Sequence, residues 1–519
     1  MTIFSPDGWR VPQWLLVFCM VFSLGLHANP AHSETQPQLT REQLNADLSN
    51  AYELLKKIQP NFTAHKSTKE LKALRDRLIA SSTDTNSLDD AYLKLTELIG
   101  AVCDEHTYIE KSEQNTALMQ GGWQWHAEPL IVHNGKLYIE SSETKRTNEV
   151  LEINGIEGPM IAAEIAKRVP SDGCFRSGTL FVNESLIVSA PVFDALVGKP
   201  EKYQIKYLSS KNRYPREREV TAVTAYVATN YMKRFILYGM GEKRIEFLNN
   251  NLTKRDLDPS VAKANLDYRI SKRRNIAYVD VGEFDDLSSA KDGIELVMRD
   301  IIKSNPDALF LDLTASPGGS VETAQFMMAF LLPRAHRLHS KALFKSVSKK
   351  PPPQFEYIDE KALERRTSMI NFFRRVKSRK GIRSAPIIRR SFGKPDYKGP
   401  IVVLVGPRTH SSATMVAANL RRLRKAKIVG NLTASDVATS CAQASGFVLL
   451  EHSKFRLHVP ELCFQSPENT IDGQSALFAD IPVDVFNWKS AKLPTKILRT
   501  ALDHYDQSRE IALDTASAE

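Results

Sequence analysis

A serine placed where a buried strand turns into a helix is positioned for nucleophilic chemistry, and residues 401–424 contain one. Ile401-Val402-Val403-Leu404-Val405 reads as a buried strand, Ser412 to Arg424 as a helix, and Thr409-His410-Ser411-Ser412 as part of the turn between them. Ser411 has two readings there: a helix N-cap, the commoner use of such a serine, or a nucleophile. A hydroxyl at its ordinary pKa is a poor nucleophile and needs a base to take its proton. Histidine, which titrates near neutrality, suits that shuttle. His410 is adjacent, but neighbouring side chains usually point apart. A second strand–turn–helix spans 308–332: the nearly all-apolar Ala308 to Leu313, then Ser316-Pro317-Gly318-Gly319, then a helix from Glu322 to Leu332. Such a turn can aim backbone amides at negative charge, although Pro-Gly-Gly also serves simply as a turn.

The elements that must hold these turns follow from the rest of the chain. At 519 residues, two to four domains are expected. Residues 1–33 read as a signal peptide: Arg10 precedes the uncharged apolar run Trp14 to Leu26, and small residues follow, with cleavage after Ser33 or Ala28. The run is short for a membrane span, and no second long apolar run follows, so an exported protein (periplasmic or secreted) with no membrane span in its mature form is expected. Residues 34–115 carry helical periodicity and predict a small bundle, with Leu44, Leu48, Tyr52 and Leu55, then Leu71, Leu74 and Leu78, then Tyr92, Leu95 and Leu98. Residues 116–225 change to short strands, and 226–274 read as a connector. From 275 to 495 strands and helices alternate, which predicts an α/β core. A basic excursion at 345–397 interrupts it as a lid or flap, and 496–519 form a C-terminal helix and tail.

Hydrophobic residues make up 42 % and charged residues 25 % of the chain, the ordinary globular mix. The formal net charge of +10 comes without aromatic–basic motifs, so it reads as a solvated basic surface and no nucleic-acid partner is expected. Four cysteines remain after the signal peptide. Cys441 and Cys463 lie in neighbouring strand-like stretches and form the preferred disulfide, whereas Cys103 reads as an apolar helix-end residue.

Taken together, these segments are similar in type and order to those of a known family. Ala308-Leu309-Phe310-Leu311-Asp312-Leu313-Thr314-Ala315-Ser316-Pro317-Gly318-Gly319 resembles the Asp-Leu-Arg-x-Asn-Pro-Gly-Gly strand and turn of the tail-specific (C-terminal processing) and tricorn-core serine peptidases. Gly399 to Val405 with Thr409-His410-Ser411 resembles the nucleophile segment of that family, and Gly430-Asn431-Leu432-Thr433 its Gly-Glu-x-Thr turn. Asn154-Gly155 looks like part of the family's PDZ-like module. Asp104-Glu105-His106-Thr107 resembles the Asp-Gly-His-Thr that ends the helical bundle in the tricorn-like branch.

The resemblance implies a ClpP/crotonase-like α/β core with a helical bundle and a PDZ-like β-rich module. It also implies an exported serine endopeptidase that needs no metal or cofactor and acts on peptides or unfolded proteins. Ser411 would be the nucleophile and His106 the base, with an oxyanion hole made by the amides of Gly318 or Gly319 and of Ser412. Where the tail-specific branch has its lysine base this chain has Asp436, which disfavours a Ser–Lys dyad and points to the histidine branch. Thr314, Ser316 and Thr414 replace the family's arginine, asparagine and glutamate. The acid orienting the histidine has no clean equivalent, and Asp104 and Asp472 are the candidates. The same departures leave room for an alternative, a catalytically inactive peptide- or apolar-ligand-binding protein on the same scaffold.

Overall fold

In the computed structural model, the chain opens with helices α1 (Arg41–Ile58), α2 (Thr68–Ala80) and α3 (Leu88–Gly100). The structure describes residues 38–518 other than 112–123, 126–129, 141–146, 175–178, 182–188, 199, 210, 225–240, 333–340, 346–354, 377, 380–381, 387–395, 434, 438, 443–445, 466–476 and 484–492. The signal-peptide reading and Asp472 therefore lie outside the described residues. Each helix begins with a capping box: Thr40, Ser67 and Ser87 accept from the amides of Gln43, Glu70 and Asp90, whose side chains accept from the capping residues' own amides. The three- and four-residue apolar spacing puts Leu44, Leu48, Tyr52, Leu55, Leu71, Tyr92 and Leu95 in one buried seam.

The β-rich module is an antiparallel sheet. Its main path runs Pro215–Thr221, Lys202–Leu208, Thr147–Ile153, Lys136–Glu140, Leu130–His133 and Thr179–Phe181, and helix α4 (Gly158–Arg168) packs against it. Leu44, Ile161, Tyr203 and Leu457 belong to a single apolar cluster, so bundle and module share one core.

A seven-stranded mixed sheet forms the α/β core. Its order is Thr253–Lys254, β1 (Leu266–Ser271), β2 (Ile276–Val281), β3 (Ala308–Asp312), β4 (Ile401–Val405), β5 (Lys427–Gly430) and Ile481–Pro482. From β2 onward the strands are parallel. β3 is buried at all five positions, as a central parallel strand covered on both faces requires. Helices α5 (Gly241–Asn251), α6 (Leu287–Ser304), α7 (Val321–Met328), α8 (Ser411–Arg424) and α9 (Leu493–Ala518) flank it. The antiparallel edge, including β1, lies inside the 226–274 segment read from the sequence as a connector. The mixed, charged composition of that stretch hides a strand whose Asp267 and Arg269 are buried as a pair, 2.9 Å apart.

Two smaller sheets join the halves of the chain. One orders Phe355–Tyr357, Gly446–Leu449, Arg456–His458 and Tyr108–Glu110; the other orders Ser378–Arg379, Ile382–Pro386, Lys341–Phe344, Leu462–Gln465 and Thr439–Cys441. The described strands of the 345–397 excursion are thus hydrogen-bonded into sheets, and its helix Glu360–Phe373 packs against two of them. Arg366, within its basic run, is 1 % exposed and bonded through two nitrogens to Glu461. Among the described residues, no helix is long and apolar enough to cross a membrane.

Beneath the site, Arg244 Nη2 on α5 donates to Asp312 Oδ2 at 2.9 Å, Asp280 Oδ2 at 2.7 Å and Tyr278 Oη at 2.9 Å. Burial drives the Asp280 carboxyl up to about 7 against the pull of Arg244. Removing the cation would leave the buried Asp312 and the partly buried Asp280 carboxyls facing each other without it. Arg244→Ala is therefore expected to lower stability by about 3–5 kcal/mol, read from the denaturant midpoint of unfolding.

Candidate active site

The turn after β3 is held from both sides. Asp312 Oδ1 accepts from the Thr314 amide at 2.9 Å and the Thr314 hydroxyl at 2.6 Å. Thr314 thus closes the turn onto Asp312, while Arg244 supplies the buried cation from another element. The backbone then pairs with Phe284, whose amide donates to Gly318 O at 2.7 Å and whose carbonyl accepts from Ser320 N at 2.6 Å. Gly318 and Gly319 have φ of +93° and +115°, conformations side chains resist. Space also demands glycine: a Cβ on Gly318 would stand 2.8 Å from His410 O and from Ser411 Cβ, and 3.0 Å from Ser412 N. The Pro-Gly-Gly turn therefore lies directly against the start of α8.

That start is strained at one residue. Ser411 has φ +46°, a left-handed conformation that costs an L-residue about 1 kcal/mol. Thr409, buried, fixes the approach: its hydroxyl donates to Leu313 O at 2.8 Å and accepts from Gly406 N at 2.9 Å. The Thr414 hydroxyl donates to Thr409 O at 2.9 Å. Ser411 stays partly exposed, whereas Ser412 is fully buried. Ser411 does not act as a side-chain N-cap; helix α8 has none. Among the described residues, no acceptor takes the amides of Gly318 or Ser412.

His106 is 305 positions away from Ser411 in the chain, yet its loop docks here. The Tyr108–Glu110 strand that follows it pairs antiparallel with Arg456–His458. Glu105, between Asp104 and His106, bonds to His410 Nδ1 at 2.8 Å and accepts from the Ser435 hydroxyl at 2.9 Å. Ser435 Oγ in turn accepts from the Ser411 amide at 2.7 Å. His106 Nδ1 is buried, 3.8 Å from Asp104 Oδ1, and has no hydrogen-bond partner among the described residues. Asp104, 4 % exposed, accepts from Gln59 Nε2 at 2.7 Å, from the His106 amide at 3.2 Å and from the Thr107 hydroxyl. Burial raises its carboxyl above the ordinary value, against the charge of His106.

Asp436, at the position of the family's lysine, is buried with Oδ2 3.6 Å from His65 Nε2. Sequence reasoning missed Glu105, Ser435, Gln59 and the turn of His410 toward Glu105. It also read Cys103 as an apolar helix-end residue, but Cys103 is bonded to Cys174. Asp172 beside that bond accepts from the Glu105 amide at 2.9 Å. The even cysteine count and the turn glycine of Asp172-Gly173-Cys174 were the signal available. The Cys441–Cys463 pairing is present across Thr439–Cys441 and Leu462–Gln465.

Burial pushes the Glu105 carboxyl up, but the charge and hydrogen bond of His410, the charge of His106 and the Ser435 hydroxyl outweigh it, bringing it from 4.5 to about 2. A depressed carboxylate contributes stability above its unfolded pKa and loses it as pH falls through the folded one. Between pH 4.5 and about pH 2, the wild type is expected to lose more stability than Glu105→Gln. Denaturant midpoints of the two proteins across that range check this.

Residues 275–447 match the family model of Peptidase family S41. No curated protein sequence is similar to the chain at a significant level. Among solved structures, mature CPAF complexed with lactacystin superposes with a TM-score of 0.56 at 14% identity, covering 92% of this chain and 99% of that one. Mature CPAF gives 0.55 at 14% identity, over 89% and 96%. At that identity the likeness speaks for the fold, which is shared along nearly the whole length.

Proposed function

Because residues 275–447 match the model of Peptidase family S41, we propose that this chain is a serine peptidase that hydrolyses peptide bonds through Ser411 and His106. The observation that carries the reading is Glu105, which joins the His106 loop to both sides of the nucleophile turn through His410 and Ser435. Asp104 faces His106 Nδ1 and favours the proton there, leaving Nε2 to accept one. Asp104 is thus the acid that orients the base.

Ser411 Oγ attacks the scissile carbonyl carbon while His106 Nε2 takes the hydroxyl proton. The carbonyl oxygen becomes an oxyanion held by the Gly318 and Ser412 amides, each such donor being worth about 3 kcal/mol. The tetrahedral intermediate collapses, the C–N bond breaks, and His106 gives its proton to the departing amine. Water, deprotonated by His106, then attacks the acyl-enzyme and returns the acid product and a free Ser411. Asp436 cannot replace His106, because a buried carboxylate stands where a lysine dyad would place its amine.

Two disulfides, Cys103–Cys174 and Cys441–Cys463, favour an oxidising compartment and hence export. The substrates are peptides or unfolded chains, which a PDZ-like module would help to hold as added strands. The purified full-length protein is expected to release peptides from a reduced, alkylated protein, read by mass spectrometry. Binding of that protein without any cleavage would instead identify the non-catalytic alternative.

A further inference from the structure

Beside the base lies a cluster that peptide hydrolysis does not need in full. A carboxylate oxygen of Asp104, one of Asp172 and a ring nitrogen of His106 all lie within 4.8 Å of one another. Asp172 is 1 % exposed, and one of its oxygens, Oδ2, has no hydrogen-bond partner among the described residues. His106 Nδ1, also buried, is in the same condition. Two buried polar atoms in one cluster, each without a hydrogen-bond partner, are costly. We propose that Asp104, His106 and Asp172 form a binding site for a divalent transition-metal cation.

The donor set selects the cation. Two carboxylates and one imidazole suit Zn²⁺ and its first-row neighbours, whereas Ca²⁺ and Mg²⁺ prefer all-oxygen sites. Tetrahedral bonds of about 2.0–2.2 Å set the donors roughly 3.4 Å apart, so a pair at the 4.8 Å limit must close by about 1.4 Å through rotation of the carboxylates. The frame is built to hold the donors together. The Cys103–Cys174 disulfide ties the two ligand segments, Gly173 N donates to Cys103 O at 2.9 Å, and Asp172 Oδ1 accepts from Glu105 N at 2.9 Å. A bound cation would also offset the mutual repulsion of the Asp104 and Asp172 carboxylates.

The site deepens the proposed function and, in this part, rests on it. A metal on Nδ1 of a neutral imidazole leaves the only ring proton on Nε2. His106 can then no longer accept the Ser411 proton, so the cation acts as an inhibitor.

The full-length protein, disulfides intact and stripped by a chelator, is titrated with Zn²⁺ against a chromophoric competitor. One Zn²⁺ per chain is expected, with binding weakened at least tenfold in Asp172→Asn and in His106→Ala. Asp172→Asn keeps the acceptor for the Glu105 amide, and its unfolding midpoint checks the fold. The chain has 12 histidines, so Zn²⁺ bound equally well by wild type and both variants would place it elsewhere and overturn the proposal. This readout requires no turnover, so it fails or succeeds independently of the peptidase reading. Where turnover is present, Zn²⁺ inhibition should also weaken at least tenfold in Asp172→Asn.

Discussion

Replacing Ser411 with alanine is expected to lower turnover roughly 10⁴- to 10⁶-fold while leaving the protein folded. The substitution removes one oxygen and little else. Alanine carries the same Cβ at φ +46°, so the backbone strain is unchanged. The amide that donates to Ser435 Oγ is retained, and α8 draws no side-chain cap from this residue. What remains is binding and the Gly318 and Ser412 amides, which without a nucleophile give only the residual rate that an oxyanion hole supplies. The check is peptide release by the variant, with its thermal unfolding curve measured beside that of the wild type.

The second large effect is expected at His106. His106→Ala should cost roughly 10⁴-fold or more, because no other group takes the Ser411 proton. His410 is engaged with Glu105 through Nδ1 at 2.8 Å, and Asp436 sits against His65. Groups that act as a unit are not additive. The Ser411→Ala, His106→Ala double variant should therefore be about as slow as the slower single variant. A further loss equal to the second single effect would mean that the two side chains act separately. Asp104 remains held by Gln59 and Thr107 in His106→Ala, so the loop geometry persists and the loss reports on the imidazole itself.

The parts legible in the sequence were those with strong local signals. The nearly all-apolar Ala308–Asp312 and the all-apolar Ile401–Val405 strands, the Pro-Gly-Gly turn and the periodic helices of residues 41–100 are set by short-range pattern. The order of segments then singled out Ser411 and His106. Partnerships chosen by long-range register were hidden. Tyr108–Glu110 gives no hint that it pairs with Arg456–His458, yet that pairing brings Glu105 to His410. Gln59 at the end of α1 reads as an ordinary polar residue, although it is buried on Asp104. The basic stretch around Arg366 looked like a lid or flap because its partner, Glu461, is 95 residues away. The 226–274 stretch misled as well. Leu266, Tyr268 and Ile270 do alternate with Asp267, Arg269 and Ser271 as a strand requires, but the charged residues around them masked that short pattern.

The central claim is that Ser411 is a nucleophile activated by His106. It is tested most directly by treating the full-length protein with a fluorophosphonate and mapping the adduct by mass spectrometry. The account predicts one adduct per chain, on Ser411, formed far more slowly in His106→Ala. No adduct, or an adduct on another serine with Ser411 unmodified, would contradict it.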